Sequence, residues 1–253
     1  MTSWWNRLWP PIVAVLLFLI GWQLAVSWFH IEEWILPPPS NIAKEAVASA
    51  EGLLGHTVAT LQLTMIGFVI GTTVGLVIAL TLHLIPWLKI ALYPLLVISQ
   101  NVPTIALAPL LMIWFGFGIL PKVIVITLVC FFPVAVAAMD GLARTDRTML
   151  NYMQMAGASK WQTFSKLELP HALPSIFSGV RIAATYSVMG AVIGEWIGSE
   201  KGIGYFMLLQ KSAYRTDRVF VAIFIIVLLS LLMVALITLL ERRLIRWSPQ
   251  QDK

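Results

Sequence analysis

The stretch VFVAIFIIVLLSLLMVALITLL, from Val219 to Leu240, contains no charged residue. About 20 apolar residues in helical form cross the hydrocarbon core of a bilayer, so the stretch has the length and character of a membrane span. The composition around it agrees. Hydrophobic residues make up 59% of the 253-residue chain and charged residues only 11%, with a mean hydropathy of +0.86. That balance excludes a soluble domain.

Five further spans follow from the same length criterion. Leu8 to Phe29 is also free of charge. Gly52 to Leu88 and Ile90 to Pro121 each exceed one crossing, which places spans at Val58 to Leu82 and Ala91 to Phe115 with the excess as helix ends or interface segments. The fourth span, Leu120 to Met139, carries Lys122 near its start, where a long side chain reaches the headgroups. The fifth, Ser175 to Ile197, is interrupted by Arg181 and Glu195. The expected fold class is an all-α integral membrane protein of about six transmembrane helices in a single domain, residues 1–253. The spans are 8–29, 58–82, 91–115, 120–139, 175–197 and 219–240, with a polar loop at 144–174.

With these spans and an inside amino terminus, the inner set of cations is Arg7, Lys89, Arg144, Arg147, Lys160, Lys166, Arg181, Arg242, Arg243, Arg246 and Lys253. The outer set is Lys44, Lys122, Lys201, Lys211, Arg215 and Arg218. Eleven against six favours both termini, and the 144–174 loop, in the cytoplasm. The same distribution accounts for a pI of about 9.5 without nucleic acid as a partner, because the excess charge lies in membrane-flanking loops and forms no basic stripe with interleaved aromatics. Arg7 ahead of an apolar stretch suggests a signal peptide, but Leu8 to Phe29 exceeds the usual h-region of about 7 to 15 residues and no small-residue cleavage site follows, so a retained helix is expected. Cys130 alone allows neither an intramolecular disulfide nor a cysteine-cluster metal site, and reads as a packing residue. No metal site is expected from His30, His56, His83 and His171, which are scattered.

The loops and breaks are unevenly informative. Three prolines in Leu36-Pro37-Pro38-Pro39-Ser40-Asn41 require an extended segment outside the hydrocarbon, with Ser40 or Asn41 placed to cap a short helix through Ala50. In the third span Pro94, Pro103 and Pro109 surround Gln100-Asn101 and point to a broken helix, which membranes tolerate where it lines a cavity or is buried in protein. Gln100 and Asn101 then have two readings, satisfying freed carbonyls or a neighbouring helix, or lining a solute pathway. Glu195 likewise reads either as a pathway carboxylate or as a solvated residue of the outer headgroup zone. Gly67, Gly71 and Gly75, at spacing four, form a small-residue face for close helix packing.

In the 144–174 loop, a helix would set Leu150, Met153, Gly157, Trp161 and Phe164 on one stripe with Lys160 and Lys166 elsewhere. Such a helix could lie on the membrane surface or face a protein. Gly157 favours the second, since glycine within a helix is costly and usually marks a turn or a close approach. Gly157-Ala158-Ser159-Lys160-Trp161 runs on to Leu167-Glu168-Leu169-Pro170, with nine residues between Gly157 and Leu167.

This loop resembles that of the transmembrane subunits of bacterial ATP-binding-cassette importers that work with a solute-binding protein. Their loop reads EAA, three residues, G, nine residues, then I-x-L-P. Gly157, Leu167, Leu169 and Pro170 keep that spacing, whereas Asn151-Tyr152-Met153 stands in place of Glu-Ala-Ala. Leu36 to Asn41, ALAPLLMIWFGFG at Ala106 to Gly118, and Gly202-Ile203-Gly204-Tyr205 extend the likeness over most of the chain. The resemblance implies an importer permease fold in which Gly157, Ala158, Ser159, Trp161, Phe164, Leu167, Leu169 and Pro170 belong to a coupling segment seated on an ATPase. It implies an ATP-binding-cassette ATPase dimer holding ATP and magnesium, an extracytoplasmic solute-binding protein, and a second, identical permease copy in the cell membrane. No G-x-x-x-x-G-K-[ST] phosphate loop occurs, so the chain itself is expected neither to hydrolyse ATP nor to bind a cofactor.

The likeness is to sulfonate, taurine, nitrate and thiamine-precursor permeases, and Ala183 to Ala191 leans toward the pyrimidine-precursor members. Trp114 and Tyr186 could stack a flat ring, or serve as packing and interface anchors. The expected pathway set is Gln100, Asn101, Trp114, Tyr186 and Glu195, and the expected solute an aminopyrimidine, with alkanesulfonate, taurine or nitrate as the alternative. A stand-alone secondary transporter or channel would instead show internal repeats and midplane ionisable residues, and no clear repeat is present.

Overall fold

The computed structural model describes residues 4–245, with side chains from Trp9 onward. Arg246 and Lys253 of the cation set lie outside the described residues. Among the described residues eleven α-helices follow one another. They are α1 (Trp4–Trp28), α2 (Pro39–Ala48), α3 (Ala50–Leu84), α4 (Pro86–Ser99), α5 (Thr104–Phe115), α6 (Ile119–Ala143), α7 (Arg147–Met155), α8 (Lys160–Thr163), α9 (Leu169–Trp196), α10 (Ile203–Ser212) and α11 (Thr216–Leu244). A π-helical turn, Phe164–Glu168, joins α8 to α9, so helix continues from Lys160 to Trp196 for 37 residues. Five helical stretches are long and apolar enough to cross a membrane, and a sixth crossing results if α4 and α5 are one span bent by 99°. The protein is an all-α, multi-pass membrane protein.

The bend falls where the prolines predict a break. Gln100 closes α4, and Pro103, extended at φ −66° and ψ 112°, precedes α5. Pro94 and Pro109 stay inside their helices. Pro38 precedes α2, with Pro39 in its first turn, where a missing amide hydrogen costs no bond. Neither Ser40 nor Asn41 caps this helix: Asn41 is inside it, and its Nδ2 donates to Glu33 at 2.6 Å.

The core is the contact of α6 with α3 and α9. Ile126, Cys130, Val134 and Ala138 meet Ala183, Ala184, Val188 and Ala191 of α9 together with Leu63, Phe68, Ala79 and Leu82 of α3. Lipid tails are as apolar as these side chains, so close packing rather than exclusion of water holds the helices together. Small residues permit it. A Cβ on Gly75 would lie 2.5 Å from the Phe131 carbonyl oxygen, and one on Gly71 would lie 2.6 Å from Cys130 Cβ. The Phe131 contact is with backbone, which no rotamer change relieves, so Gly75→Ala should cost about 1–3 kcal/mol. The check is thermal unfolding of the purified protein in detergent, with Gly21→Ala, where an added Cβ meets nothing within 4 Å, as the neutral control.

Helix α1 stands at the margin. Val26 is its buried side chain among those described, and the Trp22 ring rests 5.3 Å from Phe220 of α11. At the same end, Arg218 Nε donates to Glu45 Oε2 at 2.9 Å, and Arg215 reaches the same carboxylate at 3.0 Å while pairing with Asp217 at 2.9 Å. These pairs fasten α2 to the start of α11, part-exposed, where each is worth little alone and the network rather more.

Candidate functional site

The loop after α6 is built from two capped pieces. Asp146 caps α7 by accepting from the Thr148 amide at 2.8 Å. At the far end Gly157 adopts φ +76°, the Gly157 amide donates to the Gln154 carbonyl at 3.0 Å, and the Ala158 amide donates to the Met153 carbonyl at 3.0 Å. These are the two bonds of a Schellman stop, which needs a residue of positive φ at this position. Ser159 then restarts the helix as a capping box, its Oγ accepting from the Gln162 amide at 3.2 Å and its own amide donating to Gln162 Oε1 at 2.8 Å.

The single stripe expected from Leu150 through Phe164 is therefore corrected, because the helix stops at Met155 and the 3.6-residue period does not carry across a left-handed residue. Trp161 is 69% exposed, whereas Phe164 is buried at 7%, with the two rings 5.6 Å apart. Met149, Tyr152 and Met155 of α7 are also exposed, giving this polar end an apolar surface with no partner from the fold. Leu167, Leu169 and Pro170 are partly buried, and Ala158 and Ser159 lie in the turn. His83, at the end of α3, bonds through Nε2 to Glu168 Oε2 at 2.8 Å, and its ring lies 6.1 Å from Phe164. This tie between α3 and the loop joins residues 85 apart, and no local pattern in the sequence signals it.

A second feature lies against the α4–α5 bend. An open cavity of about 620 Å³ is bordered by the bend, by α6 from Leu128 to Asp140, and by Ile182, Tyr186 and Met189 of α9. Gln100 and Tyr186 line it together. Asn101, Trp114 and Glu195 do not. Asn101 Nδ2 donates to the Val97 carbonyl at 3.0 Å, the carbonyl-satisfying role, and Trp114 is an exposed residue of α5.

Glu195 is only 2% exposed, so neither a place on this cavity nor a solvated headgroup position describes it. It accepts from Thr60 Oγ1 at 2.8 Å and from the Gly204 amide at 2.8 Å, while Thr60 Oγ1 accepts from the Ile203 amide at 2.8 Å. His56 Nδ1 accepts from the Gly202 amide at 3.1 Å. The free amides at the start of α10 are thus satisfied by side chains of α3 and α9. Gly202, at φ +117°, has no room for a Cβ, which would strike the Glu195 carboxylate. Among the described residues no group of three or more His, Cys, Asp or Glu side chains is placed to hold a metal ion.

Residues 71–246 match the family described as the binding-protein-dependent transport system inner membrane component. The chain belongs to that family. Over 242 residues it is 37% identical to a probable ABC transporter permease of Haemophilus influenzae, covering 96% of this chain and 98% of the relative. It is 36% identical to the formylaminopyrimidine transport permease ThiX of Halalkalibacterium halodurans, with 95% and 96% covered. It is also 36% identical to the riboflavin transport permease RibX of Chloroflexus aurantiacus, with 95% and 91% covered. In fold it is similar to a chain of an amino acid ABC transporter, with a TM-score of 0.66 over 79% of this chain and 97% of the other at 19% identity. The resemblance read from Gly157 to Pro170 is borne out: this is a permease of the binding-protein-dependent ABC type, and its matched relatives are permease subunits. The matched region contains the capped loop and the cavity, while α1, α2 and the first part of α3 precede it.

Proposed function

We propose that this chain is the membrane subunit of an ATP-driven importer that moves a small solute inward by alternating access. One observation carries the reading. An exposed apolar surface at Met149, Tyr152, Met155 and Trp161 is joined through Phe164 and the π-turn to α9, which lines the cavity at Ile182, Tyr186 and Met189. A separate ATPase dimer, holding ATP and magnesium, seats the loop; its closure displaces α9 and α3 together because His83 ties one to the other. An extracytoplasmic solute-binding protein delivers the solute, and a second copy of the chain completes the pathway. Both termini and the loop lie in the cytoplasm of a bacterial cell, in keeping with the positive-inside count.

The solute is a flat aminopyrimidine-like ring. Tyr186 offers a stacking face and Gln100 a donor and an acceptor on the same cavity, a combination suited to a planar nitrogen heterocycle. The test is reconstitution in liposomes with ATPase and binding protein. ATP-dependent accumulation of a labelled aminopyrimidine is expected, and solute flux by the purified chain alone, without ATPase, would replace this reading with a stand-alone transporter or channel.

A further inference from the structure

The cavity at the α4–α5 bend carries a charge that neither its apolar walls nor the fold requires. Its lining is aromatic, aliphatic or neutral and polar, except for the carboxylate of Asp140. Asp140 is exposed, and among the described residues its side chain makes no hydrogen bond or ion pair, although Arg144 follows one helical turn later. It sits in the last turn of α6, a helix ending at Ala143 with no basic residue in that turn. The partial negative charge of a helix C-terminus disfavours an acid there. It lies at the close of the span and is exposed, so any task it has must be met by a partner group or a ligand. Burial, capping and packing supply no such task here, and the side chain borders open volume.

We infer that Asp140 is the charge filter of the cavity, admitting neutral or cationic nitrogen heterocycles that bear N–H donors and rejecting anions. A carboxylate accepts hydrogen bonds and donates none when ionised, so it matches the exocyclic amine of an aminopyrimidine and repels a sulfonate or nitrate. Leu128, Phe131, Phe132 and Val136 bring no charge beside it, so Asp140 is the one formal charge on the lining, screened in part by the solvent that reaches it. Asp140 is thus a specificity-determining residue placed apart from Gln100 and Tyr186, which read the ring. The inference rests on the importer reading above.

The test measures the field of the cavity without relying on delivery by a binding protein. Met189→Cys places a thiol on the cavity wall, and the native Cys130 is fully buried and out of reach of reagents. In the assembled complex, the ratio of modification rates for a cationic and an anionic methanethiosulfonate of similar size should favour the cation by about tenfold. Asp140→Asn should bring the ratio close to that of free cysteine, Asp140→Lys should reverse it, and Asp140→Glu should keep it. An unchanged ratio in Asp140→Asn overturns the filter. Uptake provides the second arm: Asp140→Asn should raise the KM for a labelled aminopyrimidine severalfold, and Asp140→Glu should not. An unaltered KM also overturns it. If the unsubstituted complex shows no ATP-dependent uptake, the importer reading fails while the reagent ratio still decides the role of Asp140.

Discussion

Trp161→Asp is expected to abolish ATP-driven uptake, by tenfold or more, while the chain still inserts and folds. Trp161 makes its described ring contact with Phe164 and is otherwise exposed, so its loss leaves the α3–α6–α9 core intact. Seated on a partner, the indole would be desolvated, and a carboxylate in its place would have no compensating charge. Burying a charge without a partner disfavours the assembly by several kcal/mol, more than enough for the tenfold loss that 1.4 kcal/mol represents. Basal ATP hydrolysis by the partner should persist and lose its response to solute. Normal uptake in this variant, checked in proteoliposomes, would mean that the ATPase docks elsewhere than on α7 and α8.

The largest effect on stability is expected at Glu195. Glu195→Ala removes the acceptor for the Gly204 amide and the Thr60 hydroxyl and opens a void between α9 and α10. The stranded Gly204 amide costs about 1–3 kcal/mol and the void adds to it, while Thr60 Oγ1 keeps the His56 carbonyl at 3.2 Å as an acceptor, so a total of about 2–5 kcal/mol follows. For a chain of this size that is a fall of about 5–15 °C in the unfolding midpoint, measurable by thermal denaturation in detergent. Glu195→Gln keeps the volume and one acceptor and should fall between the two. Exchange of the Ile203 and Gly204 amides should accelerate in Glu195→Ala well before global unfolding, because these bonds hold the start of α10. Equal midpoints for Glu195→Ala and the unsubstituted protein would remove the carboxylate from the structural account.

Features that act within one turn of chain were legible in the sequence. Pro103 announces the bend through the hydrogen bond it cannot make, while Pro94 and Pro109 stay inside α4 and α5, and Gly157 announces a stop by its cost inside a helix. The stripe through Leu150 and Trp161 failed for the same local reason, since a period drawn across Gly157 assumes the helical backbone that its positive φ ends. Long-range partners were not legible. Thr60 and Glu195 are 135 residues apart, and nothing near either identifies the other. Asp140, between Met139 and Gly141 at the close of a span, looks like an ordinary polar helix end until the bend of α4 and α5 encloses space beside it. Trp114 and Tyr186 were equivalent as aromatic residues of spans, and the fold separated them by which helix faces the cavity.

The continuous helix from Lys160 to Trp196, with its π-turn and Pro174, has a mechanical consequence. At 1.5 Å per residue its 37 residues measure about 55 Å, nearly twice the hydrocarbon thickness. One end is the capped loop and the other carries Glu195 with α10 attached. A tilt of only about 5° at the loop end sweeps the Glu195 end through about 5 Å if the helix behaves as a rigid lever. Opening at one membrane face and closing at the other would then be a single angular motion, with no flexible joint needed to relay it.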